Sequence, residues 1–229
     1  MRINKYIAAH GVASRRASDR LIEDGKVSIN GKVAKLGDSV EDEDVVIVDG
    51  QAVNPETDQI YIAYHKPRGV EVTLNRSVKN NIAEALDLKG HVFPVGRLDK
   101  DSSGLLLLTN DGDIVNKILR PASGHEKEYL VHADREVSNE FLKQLANGAR
   151  IEGRQTSPTK TKRQNKTAFK ITLTEGRNRQ IRKMVQKLGF HVKTLKRTRI
   201  MNIKLGHLSP GSWRHLTKVE LQELKNQLA

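Results

Sequence analysis

Apolar positions along the chain follow two spacings, one helical and one alternating. Ile3, Ile7 and Ala8 share a helical face, and Ser14 precedes a second helical stretch in which Ala17, Leu21 and Ile22 face one way before Gly25 stops it. Val27 and Ile29 then alternate with polar residues up to Asn30-Gly31, a type I′ hairpin signal, and residues 45–48 with Asp49-Gly50 repeat strand then turn. The polar stretch NPETDQ (54–59), with Pro55 inside it, separates this region from the rest, so the chain is read as two domains, 1–56 and 57–229. Beyond the boundary YIAYHKPRGV predicts a strand entering a Pro-Gly turn, and further strands are predicted at 105–109, 127–133, 167–173 and 191–197. Helices are predicted at 80–87, 113–120, 139–148, 178–189 and 217–228. Strands and helices mixed without a βαβ rhythm, and with no internal repeat, indicate the α+β class.

Charge changes this picture more than composition does. The 229 residues carry 40 Lys+Arg against 27 Asp+Glu, a net of +13, and the excess is segregated. Residues 1–35 have a net of +5, residues 36–56 hold seven acids and no base, and residues 150–199 hold sixteen Lys/Arg against Glu152 and Glu175. A basic block of that kind is the footprint of a phosphate-backbone binder, whereas a solubilising surface mixes both signs. The block contains Pro158, Gly176 and Gly189 and no long amphipathic stretch, so a membrane-surface helix is not expected. With no cysteine, thiolate metal sites, Fe–S clusters, disulfides and Cys nucleophiles are excluded. The amino terminus lacks a signal-like apolar run and no stretch reaches the ~18 apolar residues of a membrane span, so a cytoplasmic protein is expected; nothing in the sequence bears on oligomeric state, and a monomer is taken by default.

The most unusual local sequence is GRLDKDSSGLLLLTNDG, residues 96–112. Its apolar run should be a buried strand that presents polar flanks at its ends, which holds Asp99 at a strand edge beside basic residues. A carboxylate there can serve as nucleophile or general base; from local context alone a turn Asp bonded to its own backbone fits equally well. Asp99, Asp101, Ser103 and Gly104 fall on positions 1, 3, 5 and 6 of a calcium loop, but position 12 is Asn110 rather than Glu, and calcium is rejected. The histidines show no ligand spacing, so no metal and no cofactor are expected.

Two resemblances organise these readings. Residues 1–50, RINKYI followed by GVASRRASDRLIEDGKVSINGKV, resemble the S4-type RNA-binding domain, whose second helix and hairpin face RNA. That resemblance implies contacts from Arg15, Arg16, Arg20 and Lys26. HKPRGV, FPVGRLDKDSSGLLLLTNDGD, HEKEYLV, EGRNRQIRKM and RTRIMNIKL occur in the order found in the pseudouridine synthases, in the branch where an S4-type domain precedes the catalytic domain. The wording of HEKEYLV, GRNRQIRKM and RTRIMN is most similar to the F-type synthases of that branch, which act on large-subunit rRNA, and His65 departs from the family where many relatives have Asn. The expected fold is therefore α+β, with a small N-terminal S4-like helix-hairpin domain followed by a catalytic domain on a mixed, mainly antiparallel β-sheet.

The resemblance also implies the chemistry: site-specific isomerisation of uridine to pseudouridine in large-subunit (23S) ribosomal RNA, without cofactor. Asp99 matches the catalytic carboxylate, which either attacks the nucleoside or removes a ribose proton. The base leaves the stack at a cost of a few kcal/mol, and Arg97 matches the residue that fills the gap. Tyr129 matches the aromatic that packs on the flipped uracil; on its own residues it would be an ordinary strand aromatic. Arg182 matches the basic partner of the carboxylate, which should keep that group ionised. Arg177, Arg179, Lys183, Lys196, Arg197 and Arg199 are read as phosphate contacts, and Lys66 and Pro67 as shaping the nearby backbone. The partner is structured RNA, 23S rRNA or a ribosome assembly intermediate. Alternative readings are a tRNA anticodon arm, small-subunit rRNA, or a non-catalytic ribosome-assembly factor.

Overall fold

The computed structural model describes the chain apart from residues 54–58, 76, 87–91 and 121–123, so most of the expected boundary at 54–59 lies outside the described residues. Two compact units result, one from Met1–Tyr61, Leu88–Phe93 and Leu108–Asp113, the other from Ile62–Asp87, Pro94–Leu107 and Ile114–Ala229.

In the first unit, helices α1 (Ile3–Ala9) and α2 (Arg15–Glu23) precede four short strands, β1 (Val27–Ile29), β2 (Lys32–Val33), β3 (Val46–Val48) and β4 (Gln51–Ala52), ordered β2-β1-β3-β4. Ser14 starts α2 as the pattern requires: its Oγ accepts from the Ala17 N–H at 3.3 Å. Asn30 and Gly31, with φ 49° and 77°, make the two-residue turn that pairs Ile29 with Lys32. Ile3, Ile7, Ile22, Val27, Val46 and Val48 form the core. Full burial of each such side chain contributes about 1.5–3 kcal/mol, enough for a small unit to hold its shape. The buried face of α2 carries Ser18 and Ile22, not Ala17, because the Ser18 hydroxyl is satisfied by the Ser14 carbonyl at 3.0 Å. Arg15, Arg16, Arg20 and Lys26 remain exposed.

The second unit is built on a sheet that counts nine strands among the described residues. In chain order its elements are β5 (Tyr61–Lys66), α3 (Ile82–Ala85), β6 (Phe93–Pro94), β7 (Ser103–Thr109), α4 (Gly112–Leu119), β8 (Lys127–Ala133) and α5 (Asn139–Ala146). A hairpin β9 (Arg150–Ile151) and β10 (Arg154–Gln155) follows, then β11 (Lys160–Arg163), β12 (Ala168–Leu173), α6 (Gln180–Lys187), β13 (Val192–Ile200), β14 (Ile203–Lys204), β15 (Trp213–His215) and α7 (Lys218–Leu228). The sheet order is β11-β12-β8-β13-β7-β5-β15, with β14 beside β13 and β6 beside β7. β13 runs parallel to β7 and antiparallel to β8 and β14, which makes the sheet mixed.

Strand β7 is central, so its four leucines are buried on both faces, as a continuous apolar run requires. Gly104 is needed for the parallel pairing. It sits at φ 109°, and a Cβ there would lie 2.2 Å from the Arg197 carbonyl oxygen. Strand β8 alternates, with Tyr129, Val131 and Ala133 buried and the intervening residues half-buried. Helix α5, capped by Ser138, packs Phe141 against Phe169 and Phe190 on the Tyr129 face of the sheet. The edge strand β11, KTKR, was not expected because it lacks apolar positions. The β9–β10 hairpin turns through Glu152 and Gly153, both at positive φ.

Candidate active site

Asp99 lies in the loop that enters β7, and backbone bonds hold that loop closed. The Val95 N–H donates to the Leu107 carbonyl at 2.8 Å, Ser102 N–H to Asp99 O at 3.0 Å, and Gly69 N–H to Lys100 O at 2.9 Å. Two buried cations add to this frame. Lys66 has no exposed surface, and its Nζ donates to the carbonyls of Pro67 (2.7 Å), Val70 (2.7 Å) and Lys100 (3.4 Å), tying the HKPRG turn to the residue next to Asp99. Burial pushes its ammonium down to about 8, against the opposing attraction of Asp101 and Asp99. Arg197, 3% exposed, donates from Nε to Leu105 O at 2.7 Å and from a terminal nitrogen to Arg97 O at 3.3 Å. Neither residue spends its charge on a carboxylate; each caps carbonyls that would otherwise be buried without donors.

A cleft of about 230 Å³ opens beside this loop, lined among others by Arg97, Asp99, Tyr129, Arg177, Arg179 and Arg197, with Leu98, Ile181 and Leu195 supplying apolar wall. Tyr129 reaches it from β8, opposite Ile171 and Arg197. Arg179 places a guanidinium nitrogen 3.9 Å from Asp99 Oδ2 and 3.7 Å from Asp101 Oδ2. It does so from the position preceding α6, at φ 51° and ψ 33°, a left-handed conformation that costs a non-glycine residue on the order of 1–2 kcal/mol.

The structure corrects several expectations. Arg182 forms no ion pair with Asp99 within 4 Å among the described residues; its terminal nitrogens donate to Val192 O (3.1 Å) and Asp101 O (3.4 Å), and burial together with Arg179 pushes its pKa down against the opposing attraction of Asp101 and Asp99. Arg179 is the guanidinium that comes within 4 Å of Asp99, while Arg182 acts on the same two carboxylates from slightly farther off. Arg197 is 3% exposed at the cleft and gives Nε and one terminal nitrogen to backbone carbonyls rather than standing out on the surface. Arg199 is committed to Glu126 at 2.9 Å and to Met201 O at 2.6 Å. Lys196 is on the other face of the sheet, because Leu195 and Arg197, its neighbours on β13, point into the cleft. Arg177 stays on the cleft wall while binding Glu175 (3.2 Å) and the carbonyls of Arg154 and Gln155; Lys183 pairs with Glu152 at 2.5 Å. Arg97 is exposed at the cleft.

Sequence reasoning missed Lys127, which lines the cleft two residues before Tyr129 on the same strand face. Burial and the nearby Arg197 lower its pKa. The period-2 alternation of KEYLV was the available signal. His65 is buried, and its Nδ1 donates to the Leu208 carbonyl at 2.6 Å. Among the described residues no helix is long and apolar enough to cross a membrane, and no cluster of three metal-binding side chains occurs.

A family model described as RNA pseudouridylate synthase matches residues 60–187, and an S4 domain model matches residues 1–46. The dual-specificity RNA pseudouridine synthase RluF of Escherichia coli (strain K12) is 47% identical over 226 residues, which covers 98% of this chain and 78% of that protein. The ribosomal large subunit pseudouridine synthase B of Bacillus subtilis (strain 168) is 37% identical, covering 98% and 95%. A crystal structure of a pseudouridylate synthase superposes with a TM-score of 0.72 at 29% identity, covering 98% of this chain and 99% of that one.

Proposed function

Because the chain belongs to the RNA pseudouridylate synthase family and carries an S4 domain at its amino terminus, we propose that it converts specific uridines of large-subunit ribosomal RNA to pseudouridine, with Asp99 as the catalytic carboxylate. In that isomerisation the C1′–N1 bond breaks, the uracil turns within the site, C1′ joins C5, N1 takes up a proton and the C5 hydrogen leaves to solvent. All atoms of the product come from the substrate and water. Asp99 acts on the ribose, by attack or by proton removal, and Arg179 compensates its charge while the base is detached. Tyr129 offers its ring to the flipped uracil, where stacking is worth about 1–3 kcal/mol, and Arg97 occupies the space the base leaves. Arg177 and Arg179 border the cleft where backbone phosphates pass. Arg182 holds the Asp101 carbonyl and so keeps the Asp99–Asp101 segment against α6.

The observation that carries this reading is the meeting of Asp99, Arg179 and Tyr129 on one cleft. The S4 domain, taken as residues 1–56, supplies affinity through Arg15, Arg16, Arg20 and Lys26, and residues 57–229 supply the chemistry. Large-subunit rRNA is favoured because a relative covered over nearly its whole length is a ribosomal large subunit enzyme. The dual specificity of the Escherichia coli relative favours a second RNA, for which we take a tRNA anticodon arm. The protein is taken to act as a monomer in the cytoplasm. The test is tritium release from C5-labelled uridine in a ribosomal RNA transcript: wild type should release it and Asp99→Asn should not. Tight binding without release by wild type would replace this reading with that of an assembly factor.

A further inference from the structure

The sheet has a second face, and its register places lysines there in a row. Lys162 of β11 lies opposite Lys170 of β12, Lys170 opposite Leu130 of β8, and Leu130 opposite Lys196 of β13. Directly paired residues point the same way, so all four share the face opposite Tyr129. Three strand spacings of about 4.8 Å put Lys162 and Lys196 about 14 Å apart, with Lys170 between them. Lys162 is exposed, and Lys170, Leu130 and Lys196 are half-buried. Helices α5 and α6 do not cover this row: Thr161 and Ile181, which meet α5 and the cleft, belong to the other face.

This arrangement has a cost. Like charges directly opposite each other on an antiparallel pair are destabilising, and Lys162 and Lys170 are such a pair. Lysine on an edge strand is explained by protection against edge-to-edge pairing, which accounts for Lys162 alone. Lys170 and Lys196 stand on interior strands with no free edge to guard. Lys170 has Glu128 at 3.1 Å, whereas Lys162 and Lys196 have no carboxylate within 4 Å among the described residues. Such a row is matched to an external anion, and its length spans several charges of a strand whose phosphates recur about every 3.4 Å of duplex axis.

We infer that this lysine row is a second RNA-contact surface, which holds the phosphate backbone of a helix flanking the target while the Tyr129 face holds the target uridine. The inference rests on the reading that the substrate is structured RNA. It divides recognition between two faces of one sheet: the cleft takes a short hairpin, and the row engages only RNA that extends past it.

The test measures affinity against salt concentration for two RNAs, a hairpin containing the target uridine and a fragment extended by one flanking helix. Lys162→Ala combined with Lys170→Ala should flatten the log–log salt slope for the extended fragment by about 2 and leave the hairpin slope unchanged. Lys162→Arg with Lys170→Arg should restore the wild-type slope, which a merely structural role for the lysine stems would not do. Equal slopes for wild type and the alanine variant on the extended fragment would overturn the inference and leave the face to an acidic protein or to solvent. Tritium release by wild type in the same preparation separates this failure from a failure of the enzymatic reading.

Discussion

Replacing Lys66 by Met tests whether a buried cation organises the loop bearing Asp99. The substitution keeps the volume and removes the donor, so the carbonyls of Pro67 and Val70 lose their Lys66 bonds and that of Lys100 keeps only the Gly69 N–H. Each bond from a charged donor is worth about 1.5–3 kcal/mol, and two of the three are short. Against this stands the cost of holding an ammonium without solvent. Depression from 10.5 to about 8 corresponds to roughly 3 kcal/mol, recovered when the charge is absent. Between pH 8 and 10.5 the unfolded chain keeps a proton that the folded chain has released, so this contribution to stability rises with pH. The assay is urea unfolding of wild type and Lys66→Met from pH 7 to pH 10. The wild type should gain on the variant by about 2–3 kcal/mol across that range, and the variant should also release tritium more slowly because the turn of residues 67–70 is no longer tied through Lys66 to the loop bearing Asp99. A stability difference that is flat or falls with pH would refute the reasoning and mean that the three carbonyls outweigh the burial.

The remaining expectations concern the frame and the carboxylate. Gly104→Ala should destabilise the fold by more than about 3 kcal/mol, read as a lowered urea midpoint, because the new methyl meets the Arg197 carbonyl and nothing flexible can yield. Arg179→Gln should slow tritium release with little change in stability, since Arg179 is exposed, whereas Arg182→Gln should lower stability by about 1 kcal/mol through loss of its charged bonds to the Val192 and Asp101 carbonyls. The reverse pattern would assign the carboxylate to Arg182.

Elements with their own signal were legible in the sequence. The strand Lys127–Ala133 and both positive-φ hairpin turns of the first unit follow from alternation and from Asn-Gly and Asp-Gly chemistry. Strand β11 was not legible, because β12 and α5 recruit it by hydrogen bonds rather than by apolar side chains of its own. The same limit applies at the site. Asp99 stands out in its motif, but that Arg179 comes within 4 Å of it as well depends on a left-handed residue before α6 that no residue type announces. Arg197 is indistinguishable in sequence from Lys196 and Arg199. Only the register of β13 against β7 and β8 sends one inward and the others elsewhere.

The bond from Arg197 to Leu105 crosses 92 residues of chain and lies on the parallel pairing of β13 with β7. Parallel pairs at such separation form slowly, because a long loop must close before the contact is rewarded. During synthesis the loop bearing Asp99 therefore emerges well before the strand that locks it. At about 5–20 residues per second the delay is on the order of 5–20 s. A nascent chain displays its basic amino-terminal unit before β13 can lock the loop bearing Asp99, so on the proposed function capacity to hold RNA precedes capacity to alter it.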